Sequence, residues 1–556
     1  MMQGSDYLSA VTDPLVIDDA GVAWSDAADI VVVGFGGAGV SAAIQARELG
    51  GDVIAIDRFG GGGATAFSGG VVYAGGTTVQ REAGVDDSAG NMFDYLSQEE
   101  SAVSPATLRR FCDGSAGDLD WLAENGVAFN GTVFKEKTAY PPDGYFLYYS
   151  GNEKVPSYAA KAKPAPRGHR TVGSGFSGYA YFAALRASAE ARGARLMPHS
   201  PVRRLVVDRD GAVLGVELLA IPPAHWAAHD AIYRKLNPMR PFANVRHEKA
   251  IAEVAAFERQ FAQRRLIRAR GGVVLAAGGF IYNLPMIAAH RPLYARVFKA
   301  LVRIGSMGDD GSGIDLGRSA GGATALMDRI FTGRSIVPPT GFIHGILVDR
   351  HGRRFINEDS YTGFVGDAIG QLDGDGKAWL ILDKTSWRDA LKQCLFPGKG
   401  LYIYTLPSLL NMMLGGTRKA RSIERLARKC GLDPVALGES IAANNAAARG
   451  TQADPLGKNP DNVRAIETGP FYAVNMDLGN KYAATLCFTL GGLVVDEDSG
   501  AVKRSDGTTI SGLYAAGRTA VGLCSKGYLS GMSISDTVFS GRRAARAIMA
   551  RNAVAA

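Results

Sequence analysis

The chain alternates short, uniformly apolar runs with clusters of glycine. Such runs, bounded by turn residues, read as buried strands. Ile30–Val33 is one, and it enters Gly34, Gly36 and Gly39 at the spacing G-x-G-x-x-G. A small-residue helix follows from about 40 to 49, and a second apolar strand, Val53–Ile56, ends on Asp57. Each part has a physical task. Gly34 turns the chain out of the strand. Gly36, with Gly37 and Ala38 beside it, lets a pyrophosphate reach the backbone, and Gly39 lets helix and strand pack closely. The helix N-terminus offers free N–H groups and a positive dipole end. Asp57 stands where a carboxylate holds a ribose hydroxyl. The order strand, glycines, helix, strand, acid predicts a bound dinucleotide.

Further along, 88–127 read as helical, with residues 104–126 forming two short helices closed by Gly126. Residues 128–172 are rich in Tyr, Pro and Gly and read as a loop with an aromatic surface, either a lid or a packed loop. Residues 173–193 enter a helix through glycines. Residues 196–219 read as strand, turn and strand, with the turn at Asp208–Gly211. Residues 221–270 look inserted. Their helical pattern is studded with basic residues, among them Arg234, Lys235, Arg240, Arg259, Arg264 and Arg265, and suits a solvated excursion, a subunit contact or a membrane-surface contact. Residues 273–280 are another buried strand ending on glycines, and 341–361 form a hairpin turning at Asp349–Gly352. The apolar stretch 401–416, flanked by Lys399 and a basic segment, is too short to span a bilayer and reads as a buried helix or an interfacial patch. A hairpin at 488–502, a strand and glycines at 510–523 and a helix at 530–550 close the chain. Residues 1–26 are an acidic leader.

Composition narrows the class. A chain of 556 residues makes two domains or more. A net charge of +7 is mild at this size, and no arginine-rich tail or aromatic-spaced basic motif appears, so nucleic acid is excluded as a partner. The five cysteines are scattered without C-x-x-C or zinc spacing and read as free thiols; no metal site is expected. The N-terminus lacks the basic and apolar regions of a signal peptide. The expected location is cytoplasmic, with 401–416 and 221–270 as candidate peripheral membrane contacts.

After Asp57 comes RFGGGGATAFSGG, where Arg58, Thr65, Ser68, Gly69 and Gly70 suit a cofactor lying along the sheet. That arrangement resembles the fumarate reductase and 3-ketosteroid dehydrogenase superfamily of flavoproteins. Other motifs agree: VVLAAGGF with Ala277 and Gly278, the "GDG" turn with Asp310, the RFxNE segment near 354–358, and GLYAAGR at 512–518, in which Arg518 stands in the place of an acid. The resemblance covers 29–75, 271–322, 341–361 and 485–545. It implies an α/β fold: a discontinuous Rossmann-type FAD-binding domain (27–327 and 481–556) plus an α+β catalytic or capping domain (328–480). It also implies non-covalent FAD, with Gly517 and Arg518 at the ribityl chain and the helix start at Met532–Ile534, including Ser533, aimed at the flavin edge.

The branch follows from what is missing. Fumarate-reducing members carry HTMGG, whose His binds a carboxylate; this chain has Phe488-Thr489-Leu490-Gly491-Gly492. Their Arg after RFxNE is replaced by the stretch holding Tyr361. A dicarboxylate there would be desolvated without compensation, so succinate and fumarate are rejected. Tyr528-Leu529-Ser530-Gly531 resembles the Tyr-x-Ser-Gly of the Δ4-(5α)-dehydrogenase branch. By that resemblance Tyr528 bonds the C3 ketone of a steroid-like substrate and Ser530, assisted by Tyr361, accepts the C4 proton, while an external quinone-type or dye acceptor reoxidises the flavin. His344 and Glu358 read as structural hairpin residues, Lys526 as a surface charge, and Tyr145, Tyr148 and Tyr149 as candidates for the pocket mouth. The rivals are the same chemistry at C1–C2, an enoate-type reductase of an apolar acid held by Arg518 or Arg334, and a flavin-fold binding protein without chemistry.

Overall fold

Strand Asp26–Val33 sits in the middle of a parallel sheet, because its apolar run has no polar side to offer water: Ile30, Val31 and Val32 are fully buried. The computed structural model describes residues 11–18, 22–235, 244–334, 336–372, 374–397, 402–483 and 485–555. Residues 1–10 of the expected leader, Arg240 and Lys399 lie outside the described residues.

The large sheet has nine strands. From one edge the order is 15–16, 202–207, 213–220, 263–275, 26–33, 53–56 and 195–197. Strand Thr509–Ala515 pairs with the end of 263–275 and is itself paired with 501–503. The strands 195–197, 53–56, 26–33, 263–275 and 509–515 all run parallel. Helix Gly37–Glu48 and the closing helix Met532–Ala555 pack together on one face, so tightly that a Cβ on Gly541 would lie 2.4 Å from the Ala38 carbonyl oxygen. The apolar stripe of the closing helix, with Val538, Ala544, Ala545 and Ile548, is buried.

A second, antiparallel sheet of four strands, 346–348, 379–382, 471–475 and 418–420, lies wholly within the later segment. A three-stranded sheet joins 301–303, 485–489 and 330–333. A further four-stranded sheet orders 71–73, 168–170, 147–148 and 133–134.

Several expectations are corrected. Residues 105–124 form one helix, capped by Ser104 with Pro105 in the first turn. Gly114 and Gly117 do not break it, because Leu108, Phe111, Cys112, Leu119 and Leu122 continue one buried stripe past them. Residues 128–172 hold the three strands 133–134, 147–148 and 168–170 and the short helix Pro156–Ala159 rather than a bare loop. The excursion 221–270 is shorter and more buried than its charge suggests. Its last residues, 263–270, begin the long strand, and helices Trp226–Tyr233 and Asn244–Phe261 bury His229, Ile232, Val254 and Glu258. In 341–361 the expected turn forms at Asp349–Gly352, but the arms pair only through a bridge, Val348 to Arg354. Residues 15–16 add an edge strand. Helix Tyr402–Leu414 buries Thr405 and Met412 and exposes Leu406, Met413 and Leu414. Among the described residues, no helix is long and apolar enough to cross a membrane.

Candidate active site

Four parallel strands end at one place. Val33 leads to Gly34, Ile56 to Asp57, Leu275 to Ala276–Gly278 and Ala515 to Gly517, and all of these line one cavity. Ligands bind at such carboxyl ends of an open α/β sheet. The empty volume is about 1880 Å³ counted out to the mouth.

The dinucleotide end is bare backbone. A Cβ on Gly34, which has φ +99°, would meet the Ala276 carbonyl oxygen at 2.5 Å. Helix Gly37–Glu48 has Gly36 at its N-cap and no side-chain cap, so its first turn offers N–H groups to an anion. Gly37 donates to Thr65 Oγ1 (3.1 Å), and Ser68 Oγ donates to the Thr65 carbonyl (2.7 Å). These residues, with Ala38, Gly69, Ser533 and Ile534, are on the wall. Asp57 ties the loop beside it: Phe35 N–H donates to Oδ2 (2.8 Å), and Phe59 N–H to Oδ1 (2.8 Å). Burial pushes its carboxyl up, against those amide bonds. The donor set and the glycine cradle fit a pyrophosphate flanked by a ribose.

Three expected cofactor residues are elsewhere. Gly39 is off the wall because it packs helix on strand, its Cβ position only 1.9 Å from the Gly34 oxygen. Gly70 (φ +64°) instead abuts Ser177 and Gly178. Asp310 points away and pairs with Arg58 (2.8 Å), while its neighbour Asp309 reaches the wall and pairs with Arg518 (2.7 Å). Arg58, on the wall, is also held by Glu258 at 2.6 and 3.0 Å. Burial alone would raise the Glu258 carboxyl, but Arg58, the His229 contact and Arg203 hold it well below the usual range.

The other end of the cavity is aromatic. Tyr528 stands edge-on to Phe331 (4.8 Å) and to Phe488 (4.9 Å), and Tyr361 lies 6.3 Å from both Phe331 and Tyr528 between ring centres. Tyr361, Tyr528 and Ser530 all line the cavity. Ser530 Oγ is hydrogen-bonded at 3.0 Å to Tyr148 OH, a group expected only at the mouth. Nothing in the sequence signals this, because strand 147–148 is placed by its non-local partner 168–170. Tyr140 and Tyr404 also join the wall, whereas Tyr145, Tyr149 and Tyr148 itself, which stands behind Ser530, do not. Burial pushes the Tyr148, Tyr361, Tyr404 and Tyr528 hydroxyls above their ordinary range, so all four are neutral at neutral pH. Among the described residues of the wall, no cation is left without an acid. Arg58, Arg203 and Arg518 on the wall are each paired to an acid, and Arg334 is off the wall, donating to the Ala483 and Asp477 carbonyls. Glu358 accepts from the Leu347 amide and pairs with Arg354, as a structural hairpin residue should; Lys526 is exposed.

Behind Tyr361 lies a polar support. Its backbone N–H donates to Asn152 Oδ1 (2.6 Å), and Asn152 Nδ2 donates to Glu99 (3.0 Å), which also accepts from Tyr95 OH (2.9 Å) and Tyr158 OH (3.3 Å). Burial, with nearby Glu153 adding to it, pushes the Glu99 carboxyl from 4.5 up to about 7 despite these donors. The folded state therefore holds this proton more tightly than the unfolded chain does. The stability cost of ionising Glu99 is absent below pH 4.5, grows as pH rises to about 7, and is complete above that. Glu99→Gln should accordingly gain thermal stability over the parent between pH 5 and pH 8, read as the Tm difference; a difference independent of pH would remove this coupling.

A family model described as FAD binding domain matches residues 29–534. The 3-oxo-5-alpha-steroid 4-dehydrogenase of Comamonas testosteroni is 39% identical over 513 residues, covering 89% of this chain and 93% of that protein. The 3-oxosteroid 1-dehydrogenase of Mycolicibacterium smegmatis is 28% identical, covering 88% of this chain and 92% of that protein. The crystal structure of 3-ketosteroid-delta4-(5alpha)-dehydrogenase from Rhodococcus jostii RHA1, in complex with 4-androstene-3,17-dione, aligns with a TM-score of 0.79 at 30% identity over 97% of this chain and 100% of that one.

Proposed function

The chain belongs to the FAD binding domain family, and from that premise we propose that it is an FAD-dependent 3-ketosteroid Δ4-(5α)-dehydrogenase, converting a saturated 3-ketosteroid to its 4-ene. The observation that carries this reading is Tyr528 and Ser530 opposite Tyr361 in a cavity walled by Phe331 and Phe488. An apolar wall removes water from a rigid apolar substrate, and neutral hydroxyls are what a ketone can accept from without a charge mismatch.

Bound FAD supplies the hydride acceptor for C5. The protein supplies the rest. Tyr528 OH donates to the C3 carbonyl oxygen and carries the negative charge that develops there, which acidifies the C4 hydrogen. Ser530 Oγ takes that proton as the C4–H bond breaks. A lone serine is far too weak a base for this task, so the hydroxyl must pass its own proton on. The Tyr148 hydroxyl at 3.0 Å is the first link of such a relay, taking the Ser530 proton only as it gives its own O–H proton onward to solvent, and Tyr361 lines the cavity beside Ser530. The cavity walls keep water from competing for the enolate.

The FAD-binding part would comprise 27–327 and 481–556, around a capping part at 328–480. Every strand of the large sheet from 26 onward falls in the first two segments, and every strand of the antiparallel four-stranded sheet at 346–475 falls in the third, which supports that division.

The test is an anaerobic titration of the purified yellow protein with a 5α-3-ketosteroid, followed by product analysis. The visible flavin band should bleach in proportion to substrate, with a 4-ene as product and re-oxidation by a quinone-type dye. A 1-ene product would assign the C1–C2 chemistry instead. Bleaching by an unsaturated acid's saturated form, but not by the steroid, would assign the enoate reading.

A further inference from the structure

We propose that helices Trp226–Tyr233 and Asn244–Phe261 form the adenosine end of the cofactor site, with Tyr233 as the face against which the purine stacks and Glu258 as the anchor of the two guanidiniums beside it. The inference rests on the flavin reading of the cavity. It concerns a stretch that lies outside every motif the cofactor unit requires and whose charge suggests a solvated excursion.

The placement follows from neighbours. Asp57, at the end of its strand, marks where a ribose is held. Two residues on, Phe59 lies on the wall, and Tyr233 stacks on it with centroids 4.3 Å apart and planes at 20°. Tyr233 lines the cavity itself, at the same end as Ser200, Val202 and Arg203. A purine needs a flat, desolvated surface of this kind, with backbone groups at its edge. The stack continues behind it: His229, fully buried, lies 5.2 Å from Phe59 at 26° and 5.6 Å from Phe257 at 15°. Two helices of the excursion therefore supply successive layers of one aromatic column that ends in the cavity.

Glu258 is the electrostatic part. It is 3% exposed and sits on the second helix. It holds Arg58 at 2.6 and 3.0 Å and Arg203 at 2.7 Å, and both arginines line the cavity. Arg58 is also shared with Asp310 (2.8 Å), so the two cations are matched by two anions. Their task is to stand still rather than to add net charge, which preorganises the wall. Removing Glu258 takes this anchor from Arg203 and leaves Arg58 with Asp310 alone.

FMN lacks the adenosine half, and this separates the clamp from the rest of the site. The full-length chain, stripped of flavin, is titrated with FAD and with FMN by fluorescence. Tyr233→Ala should raise the FAD Kd about tenfold or more and leave the FMN Kd unchanged, whereas Tyr233→Phe, which keeps the ring, should retain parent FAD affinity. Glu258→Gln, isosteric and free of any ring loss, should weaken FAD several-fold and FMN not at all. Equal changes for the two flavins, or none for either variant, would overturn the clamp while leaving the flavin reading intact. A parent chain that binds neither flavin would overturn both.

Discussion

Tyr528→Phe should lower kcat/KM on a 5α-3-ketosteroid by about 10²- to 10³-fold, the usual cost of removing one hydrogen-bond donor from a developing oxyanion. The ring stays, so its edge-on contacts with Phe331 and Phe488 stay with it. Flavin content and Tm should therefore match the parent, and the loss should appear in kcat as well as in kcat/KM, because the interaction strengthens as charge builds on the ketone oxygen. Stopped-flow bleaching of the flavin under anaerobic conditions measures it directly. Parent-like bleaching rates in this variant would remove the phenol from the chemistry and leave Ser530 and its hydroxyl neighbours to account for the whole site.

Gly39→Ala should give a protein that purifies without flavin. The added Cβ would lie 1.9 Å from the Gly34 carbonyl oxygen and 3.2 Å from Val32 Cγ1, and the first of these is backbone that cannot swing aside. Helix Gly37–Glu48 must lift off its strand, which carries the whole anion-binding turn with it. Overpacking of this kind costs about 1–3 kcal/mol or more. Gly36→Ala is the informative contrast. Its Cβ has nothing closer than the Gly62 oxygen at 3.7 Å, so the cofactor-free fold should melt as the parent does while flavin affinity falls, because the methyl group occupies space meant for the ligand. The ratio of visible to ultraviolet absorbance, with a melting curve for each stripped variant, checks both. A yellow Gly39→Ala protein with parent stability would show that the turn tolerates what the geometry forbids.

The parallel strands were legible because they are buried on both faces: an unbroken apolar run ending on glycine has few other meanings. Phe488 and Tyr361 were legible as a lost carboxylate clamp, since one substitution in each motif changes the chemistry of the wall. Tyr148 was not, because strand 147–148 gains its position from residues 168–170, and no local spacing encodes that pairing. Asp309 and Asp310 show a finer limit. The turn is recognisable, but which of two adjacent acids faces inward depends on the single-residue register of Gly311 (φ +85°) and the helix after it. The excursion misled through its charge. Arg58 and Arg203, from the body of the protein, pair with buried Glu258, so an acid in a stretch read for its basic residues turned out to be the informative one. The helix 105–124 misled through Gly114 and Gly117, whose cost a long buried stripe outweighs.

On the edge away from 26–33, the strand Gln263–Leu275 has two partners in succession, 213–220 at its start and 513–515 at its end. The second half of that strand is thus completed only by residues translated about 240 positions later. During synthesis the nascent chain carries the phosphate-binding turn for most of its emergence without the Gly517 wall or the closing helix that abuts it. Such distant pairing slows the search for the native topology. A chain truncated before 509 should accordingly purify without flavin rather than as a smaller holoprotein.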